Sequence, residues 1–179
     1  MRLDDVLARS KPWHGHGFLH VPAHVDPDGV TVGDLVSDSE GRWNRGGQPT
    51  LYLACDPAVA VSEFVRHLDV APDAPPEDDR SLVCVALALP QVVDLRDPDV
   101  ASAFGIVAAP TAFLDETVAR RVSAAIRERI PFGGVLTPPM AFLDRPERWN
   151  LVVFADDAGQ LEASSQSPMP WGRLGLRAR

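Results

Sequence analysis

The segment Gly41–His67, GRWNRGGQPTLYLACDPAVAVSEFVRH, constrains the chain more than any other stretch. A glycine-bearing turn runs straight into an apolar strand and then into a helix, so the three must fold as one local unit. Within Thr50–Cys55 the pattern alternates and sets Thr50, Tyr52 and Ala54 opposite Leu51, Leu53 and Cys55. Asp56 followed by Pro57 starts a helix, because a short acid can cap the first-turn amides and proline is tolerated at the first helical position. That helix runs to about Leu68, with Val61, Phe64, Val65 and Leu68 on its apolar face and Glu63 at the rim. Asn44, Gly46 and Gly47 shape the turn, since glycine tolerates positive φ.

Such a unit can bring Arg42, Tyr52 and Glu63 to one cleft. A planar guanidinium suits a pyrophosphate through paired charge-assisted hydrogen bonds. The faces of Tyr52 and Trp43 suit a flat base. A carboxylate at Glu63 suits a ribose and any positive charge that develops on it. Taken singly, each residue has a plainer reading: an exposed Arg–Glu pair contributes little, Trp43 can be core, and Tyr52 a half-buried strand residue. The order of the motif reverses that balance for Arg42 and Glu63 and leaves Trp43 evenly placed.

Gly41, Arg42, Trp43 and Asn44, then Leu51, Tyr52 and Leu53, then Glu63, resemble the signature of the RES-domain toxins. These are NAD-consuming relatives of ADP-ribosyltransferases and form the toxin half of bacterial toxin–antitoxin pairs. The likeness is tight over Gly41–His67 and continues more weakly to about Phe154. It implies the split-sheet fold of ADP-ribosyltransferases, NAD as substrate with no separate cofactor, and an antitoxin partner of the Xre-like helix-turn-helix family that blocks the cleft. It also implies Arg42 and Glu63 as catalytic residues, with Tyr52, Trp43, Asn44, His20 and Thr117 around the NAD. Two landmarks depart from the family pattern. His20, in FLHV, stands where relatives carry arginine, and Pro139, in Thr137-Pro138-Pro139, stands where they carry serine. Thr117, early in the long helix, is the nearest substitute hydroxyl.

Three functions fit. The first is a toxin-like enzyme that cleaves the nicotinamide–ribose bond by hydrolysis or phosphorolysis. The second is a catalytically degenerate nucleotide-binding or interaction module, favoured by His20 and Pro139. The third is an ADP-ribosyltransferase with a protein target, its acceptor chosen by the acidic, proline-rich loop Asp69–Arg80. Many such transferases carry a second glutamate or glutamine two residues before the catalytic one, where this chain has Val61. That difference favours a small-molecule reaction.

The remaining sequence sets the frame. At 179 residues the chain suits one domain, expected over residues 1–162, with a serine- and proline-rich tail at 163–179 that is mobile or packed by Trp171. No apolar run approaches the ~20 residues of a membrane span, and the opening MRLDDVLARS lacks the apolar core of a signal peptide, so a cytoplasmic protein is expected. A net charge of −8 speaks against nonspecific nucleic-acid binding. Cys55 and Cys84 lie in apolar runs and read as buried, reduced thiols. His14, His16, His20 and His24 cluster, but Gly15, Gly17 and Pro22 keep them off any one helix, and no metal site is expected. No phosphate-cradling GxxxxGK loop and no G-x-S-x-G element is present. Homo-oligomerisation is left open.

The expected elements are a helix near residues 2–9, strands at Phe18–Val21, Thr50–Cys55, Ser81–Leu89, Val92–Leu95, Gly133–Leu136 and Asn150–Phe154, and a long helix at Thr111–Arg129. Strands and helices do not alternate regularly, so the fold class is α+β, a single domain on a bent or split mixed sheet.

Overall fold

The computed structural model describes residues 3–22, 31–70, 80–156 and 168–170. In chain order its elements are α1 (Leu3–Leu7), β1 (Lys11–Pro22), α2 (Val32–Leu35), β2 (Thr50–Ala54), α3 (Pro57–Val70), β3 (Arg80–Asp94), α4 (Pro98–Ala103), α5 (Glu116–Arg127), β4 (Phe132–Thr137), β5 (Asn150–Ala155) and β6 (Pro168–Pro170). The sheet order is β1-β2-β5-β4-β3-β6, and β1 also pairs with β3. The sheet therefore closes on itself as a five-stranded barrel, with β6 added on the side of β3. The β3–β4 pair is parallel and the other pairs are antiparallel. The single mixed domain expected from the sequence is present, and its bent, mixed sheet closes into a barrel. Closure follows from the length of β1 and β3, which lets their twist bring distant edges together.

The barrel interior is filled by Val21, Leu51, Leu53, Val83, Val85, Leu87, Leu89, Val92, Leu151 and Val153, contributed by alternate positions of its strands. Outside it, α5 lays Ala119, Val122 and Ile126 against Val135, Val152 and Phe154, with Phe113 and Trp43 completing the layer. On another face α3 packs Val59, Ala60 and Val61 against Ala54 and Leu82. This corrects the expected apolar face of α3, because Val65 is 46% exposed.

Two other boundaries differ for local reasons. The strands expected on either side of Pro90 are one strand that gains a second partner. It runs antiparallel to β1 as far as Trp13↔Leu89, slips by a bulge near Pro90, resumes against β1 at Lys11↔Val92, and from Val92↔Gly134 also pairs parallel to β4. The bulge absorbs the hydrogen bond that proline cannot donate. The long helix begins later than Thr111: Thr111–Leu114 is a 3₁₀ turn, and Asp115 caps α5 by accepting from the Thr117 amide at 2.8 Å.

β1 is longer than expected, and its extended backbone puts His14, His16 and His20 on one face, with His14 and His16 exposed. Among the described residues they join no group of three or more metal-ligating side chains, and His24 lies outside the described residues. Cys55 and Cys84 are free and half-buried rather than fully buried. Among the described residues no helix is long and apolar enough to cross a membrane.

α5 is anchored by Arg127, which is 6% exposed. Its Nε and Nη2 bond Asp156 Oδ2 and Oδ1 at 2.7 and 2.9 Å, its Nη1 bonds Thr50 Oγ1 at 3.0 Å, and Nη2 also reaches the Pro49 carbonyl. The guanidinium also sits 5.1 Å over the Phe154 ring. Arg127→Met keeps the aliphatic stem and strips these bonds, leaving Asp156 to solvent and Thr50 inside. A loss of about 2–4 kcal/mol is expected in urea unfolding, somewhat below a fully buried pair because Asp156 keeps access to water.

Candidate active site

β1 gives its hydrogen-bonding edge to β3 along most of its length and meets β2 at a single register pair, Phe18↔Ala54. At that seam the strands splay, and a cleft of about 290 Å³ opens, walled by residues of both strands and floored by α3. Gly17 makes the contact possible, because a Cβ there would stand 2.6 Å from Leu53 Cβ. The cleft lining includes His20, Tyr52 and Glu63, along with Leu35, Ser37 and Asn150.

Tyr52 is fixed by the turn that precedes its strand. Its hydroxyl donates to Asn44 Oδ1 at 2.7 Å and accepts from the Trp43 amide at 3.0 Å. Asn44, 1% exposed, is held in turn by its amide donating to the Ser39 and Gln48 carbonyls at 2.7 and 3.3 Å. Burial pushes the phenol up to about 12, against the pull of the Trp43 amide and the charges of Arg120, Arg127 and Arg42. It therefore stays protonated and donates at any ordinary pH. Trp43, 4% exposed, packs on Phe113 with ring centres 5.1 Å apart. Trp43 and Asn44 thus act on the cleft through Tyr52.

Glu63 comes from α3, three residues past the buried Ala60 that shares the cleft floor. Its Oε1 accepts from the Ala141 amide at 2.7 Å. That amide is presented by a turn in which the Phe142 amide donates to the Pro139 carbonyl at 3.1 Å, so Pro139 shapes the loop facing Glu63. Burial raises the Glu63 carboxyl above the usual carboxylate range, opposed by the Ala141 amide and by the charges of Arg66 and Arg42. The arrangement is a carboxylate made more basic by burial and steered by the backbone amides of Ala141 and Met140.

Arg42, from the Gly41–Asn44 turn, is held against the start of α5. Its Nη1 donates to the Phe113 and Leu114 carbonyls at 3.1 and 2.9 Å, and its Nη2 is 3.2 Å from Glu116 Oε1. Its charge nevertheless reaches both Glu63 and Tyr52. His20 lines the cleft, its ring 4.4 Å from Phe64. Thr117 is exposed on the first turn of α5 and is not among the residues lining the cleft. So the structure gathers His20, Tyr52 and Glu63 in one cleft, and neither Arg42 nor Thr117 is among the residues lining it.

Sequence reasoning missed two participants. The Ala141 amide carries no side-chain signal. Arg120, whose Nε donates to the Gly41 carbonyl at 2.8 Å, had one in its position four residues after Glu116.

Gly41 is required where it stands: a Cβ would lie 2.7 Å from both Tyr52 Oη and Asn44 Oδ1. Gly41→Ala is expected to break the Tyr52–Asn44 bond and to cost about 1–3 kcal/mol, as for other overpacked sites. The change should show as a lower unfolding midpoint and as increased tyrosine exposure in near-ultraviolet spectra.

A buried carboxyl with a raised folded value binds its proton more tightly folded than unfolded. It favours folding at pH below the ordinary glutamate range and costs stability as pH rises through the raised value. Glu63→Gln, which keeps an oxygen for the Ala141 amide, should therefore melt higher than the parent at neutral pH. The gap should close toward about pH 4. Paired melting curves across that range check it.

A search of curated proteins finds no match. Among solved structures, a chain of the crystal structure of the M. tuberculosis MbcT–MbcA toxin–antitoxin complex shares the fold, with a TM-score of 0.62, 20% identity, and coverage of 90% of this chain and 87% of that one. The sequence matches the RES domain family over residues 20–172, a span that contains Gly41–Asn44, β2, Glu63 and all the barrel strands apart from most of β1. With the motif, the barrel and the cleft in agreement, the chain belongs to the RES domain family.

Proposed function

We propose that this protein is the toxin of a toxin–antitoxin pair and that it cleaves the nicotinamide–ribose bond of NAD. The observation that carries the chemical part is the placement of the Glu63 carboxylate in the same cleft as Tyr52, within reach of the charge of Arg42. The toxin part is supported by the family and by a fold neighbour drawn from a toxin–antitoxin complex. We read the seam between β1 and β2 as the counterpart of the split sheet of ADP-ribosyltransferases.

In this reaction the bond between ribose C1′ and the pyridinium nitrogen breaks, and its electron pair goes to that nitrogen, so nicotinamide leaves neutral. Strong acid help is not needed. The positive charge left on the ribose resembles the oxocarbenium state of glycoside hydrolysis. Ionised Glu63, held by the Ala141 amide, faces that charge and bonds the ribose hydroxyls. Tyr52 offers its ring as a platform for the nicotinamide, Arg42 holds phosphate oxygens, and His20 borders the same space. An oxygen of water or of phosphate then captures C1′ and gives up its proton to solvent. NAD is the substrate, and no further cofactor is called for. An antitoxin of the helix-turn-helix type that covers the cleft would restrain the enzyme in the cytoplasm, where NAD is abundant.

A second reading has one observation in its favour. Arg42 is already engaged by two carbonyls and by Glu116, as a residue retired from catalysis would be. The test separates the two. The protein is incubated with NAD, with and without phosphate, and the products are followed by proton and phosphorus NMR. Free nicotinamide is expected from the parent, with Glu63→Gln slower by roughly 10²–10³-fold, the scale of losing one preorganised electrostatic group. Because Glu63 must be ionised, the acid limb of the rate profile should lie above the ordinary glutamate value. NAD binding without nicotinamide would select the binding module, and equal rates for parent and variant would remove Glu63 from the mechanism.

A further inference from the structure

Two members of the charged cluster around Arg42, Glu116 and Arg120, are not used by this chemistry. Glu116, at the first position of α5, carries two arginines on one carboxylate: Oε1 lies 3.2 Å from Arg42 Nη2, and Oε2 lies 2.7 Å from Arg120 Nη2. Other donors of both arginines are held by backbone carbonyls. Arg42 Nη1 holds the Phe113 and Leu114 carbonyls, and Arg120 Nε holds the Gly41 carbonyl. Arg120 Nη1 also stands 2.9 Å from Glu40 Oε1. The arginine side chains are 18% and 24% exposed, whereas Glu116 is 47% exposed. Two anchored guanidinium groups therefore converge, by one nitrogen each, on a half-exposed carboxylate.

Two guanidinium Nη2 groups, one from each arginine, aimed at one pair of oxygens is an arrangement that a phosphate oxyanion takes between arginines. Neither arginine lines the cleft, but the pair is linked to it through Tyr52, which does. The Gly41 carbonyl that holds Arg120 belongs to the residue packed against the Tyr52 hydroxyl, and both arginine charges act on that phenol.

We propose that Arg42 and Arg120 form a phosphate subsite of the cleft and that Glu116 fills it as an internal stand-in, displaced when a phosphate group arrives. The inference rests on the nucleotide reading above and deepens it: Arg120 becomes a second phosphate-binding residue and Glu116 a built-in competitor. The arriving group is a phosphate of the dinucleotide or free phosphate, which present the same oxygens. If Glu116 were only a clamp between α5 and the Gly41–Asn44 turn, removing its charge would loosen the arginines and weaken anion binding. If it is a competitor, binding tightens.

The experiment is calorimetric titration of the full chain with ADP and, separately, with inorganic phosphate at fixed ionic strength. Parent, Glu116→Gln and Asp99→Asn are compared, the last removing one negative charge that touches neither arginine. Glu116→Gln is expected to tighten at least one probe about fivefold, the worth of an exposed ion pair, with Asp99→Asn unchanged. Tightening of ADP identifies a phosphate of the dinucleotide, and tightening of phosphate alone identifies the free ion. Unchanged, weakened or absent binding of both probes by a folded Glu116→Gln overturns the proposal, as does equal tightening by Asp99→Asn. Should Glu116→Gln fail to fold, Arg120→Lys decides: it keeps the charge and loses the fork, so unaltered ADP and phosphate affinities overturn the proposal and weakened binding supports it. Tighter ADP binding without nicotinamide release leaves the subsite standing and removes the NAD-cleaving reading. NAD cleavage with unchanged ADP and phosphate affinities does the reverse.

Discussion

The rest of the structure depends on how β1 spends its backbone hydrogen bonds. A strand has two edges, and β1 commits one of them to β3 over nearly its whole length. That commitment closes the barrel and seals an interior of valine and leucine. It also leaves the other edge joined to β2 at one register pair. A closed barrel has no room for a binding site in a core this small, so the cleft forms where closure is weakest. The same choice that supplies most of the stability thus decides where a ligand can enter.

Around that seam, polar groups are buried in a connected set. The Tyr52 hydroxyl joins strand to turn through Asn44 and the Trp43 amide, and the Asn44 amide joins the turn to itself. A network like this is worth keeping only when every member is satisfied, because one orphaned group costs more than a formed bond returns. Its consequence is rigidity: the Gly41–Asn44 turn, and with it Arg42, has little freedom relative to β2. Arg127 does the same at the far end of α5, tying the helix to Pro49, Thr50 and Asp156. By contrast Glu63 and Glu116 each sit between a fixed donor and open space. They are the groups whose protonation or position can change without disturbing the frame.

The local unit from turn to strand to helix was legible in the sequence, since its signals are short-range. Alternation gave β2, the Asp56–Pro57 pair gave the start of α3, and the motif spacing put Tyr52 and Glu63 on neighbouring elements. Reading failed where a distant partner decides. Pro90 looked like a strand break because proline cannot donate, yet a bulge against β1 carries β3 through it. Thr111 looked like the start of the long helix, but that helix starts at Glu116, capped by Asp115, after a 3₁₀ turn. Val65 fits the apolar periodicity of α3 and still faces outward, because the barrel meets the helix on its Val59–Val61 side.

The sequence by itself determined the family, the turn–strand–helix unit and the residue types available for chemistry, because capping, alternation and motif order act over a few residues. Tertiary structure alone decided that the sheet closes, that the cleft opens between β1 and β2, and that a backbone amide from Ala141 steers Glu63. It also decided that Arg42 shares a carboxylate with Arg120. These depend on strand edges and side chains that meet across many tens of residues, and their pairing is fixed by which buried groups can all be satisfied at once.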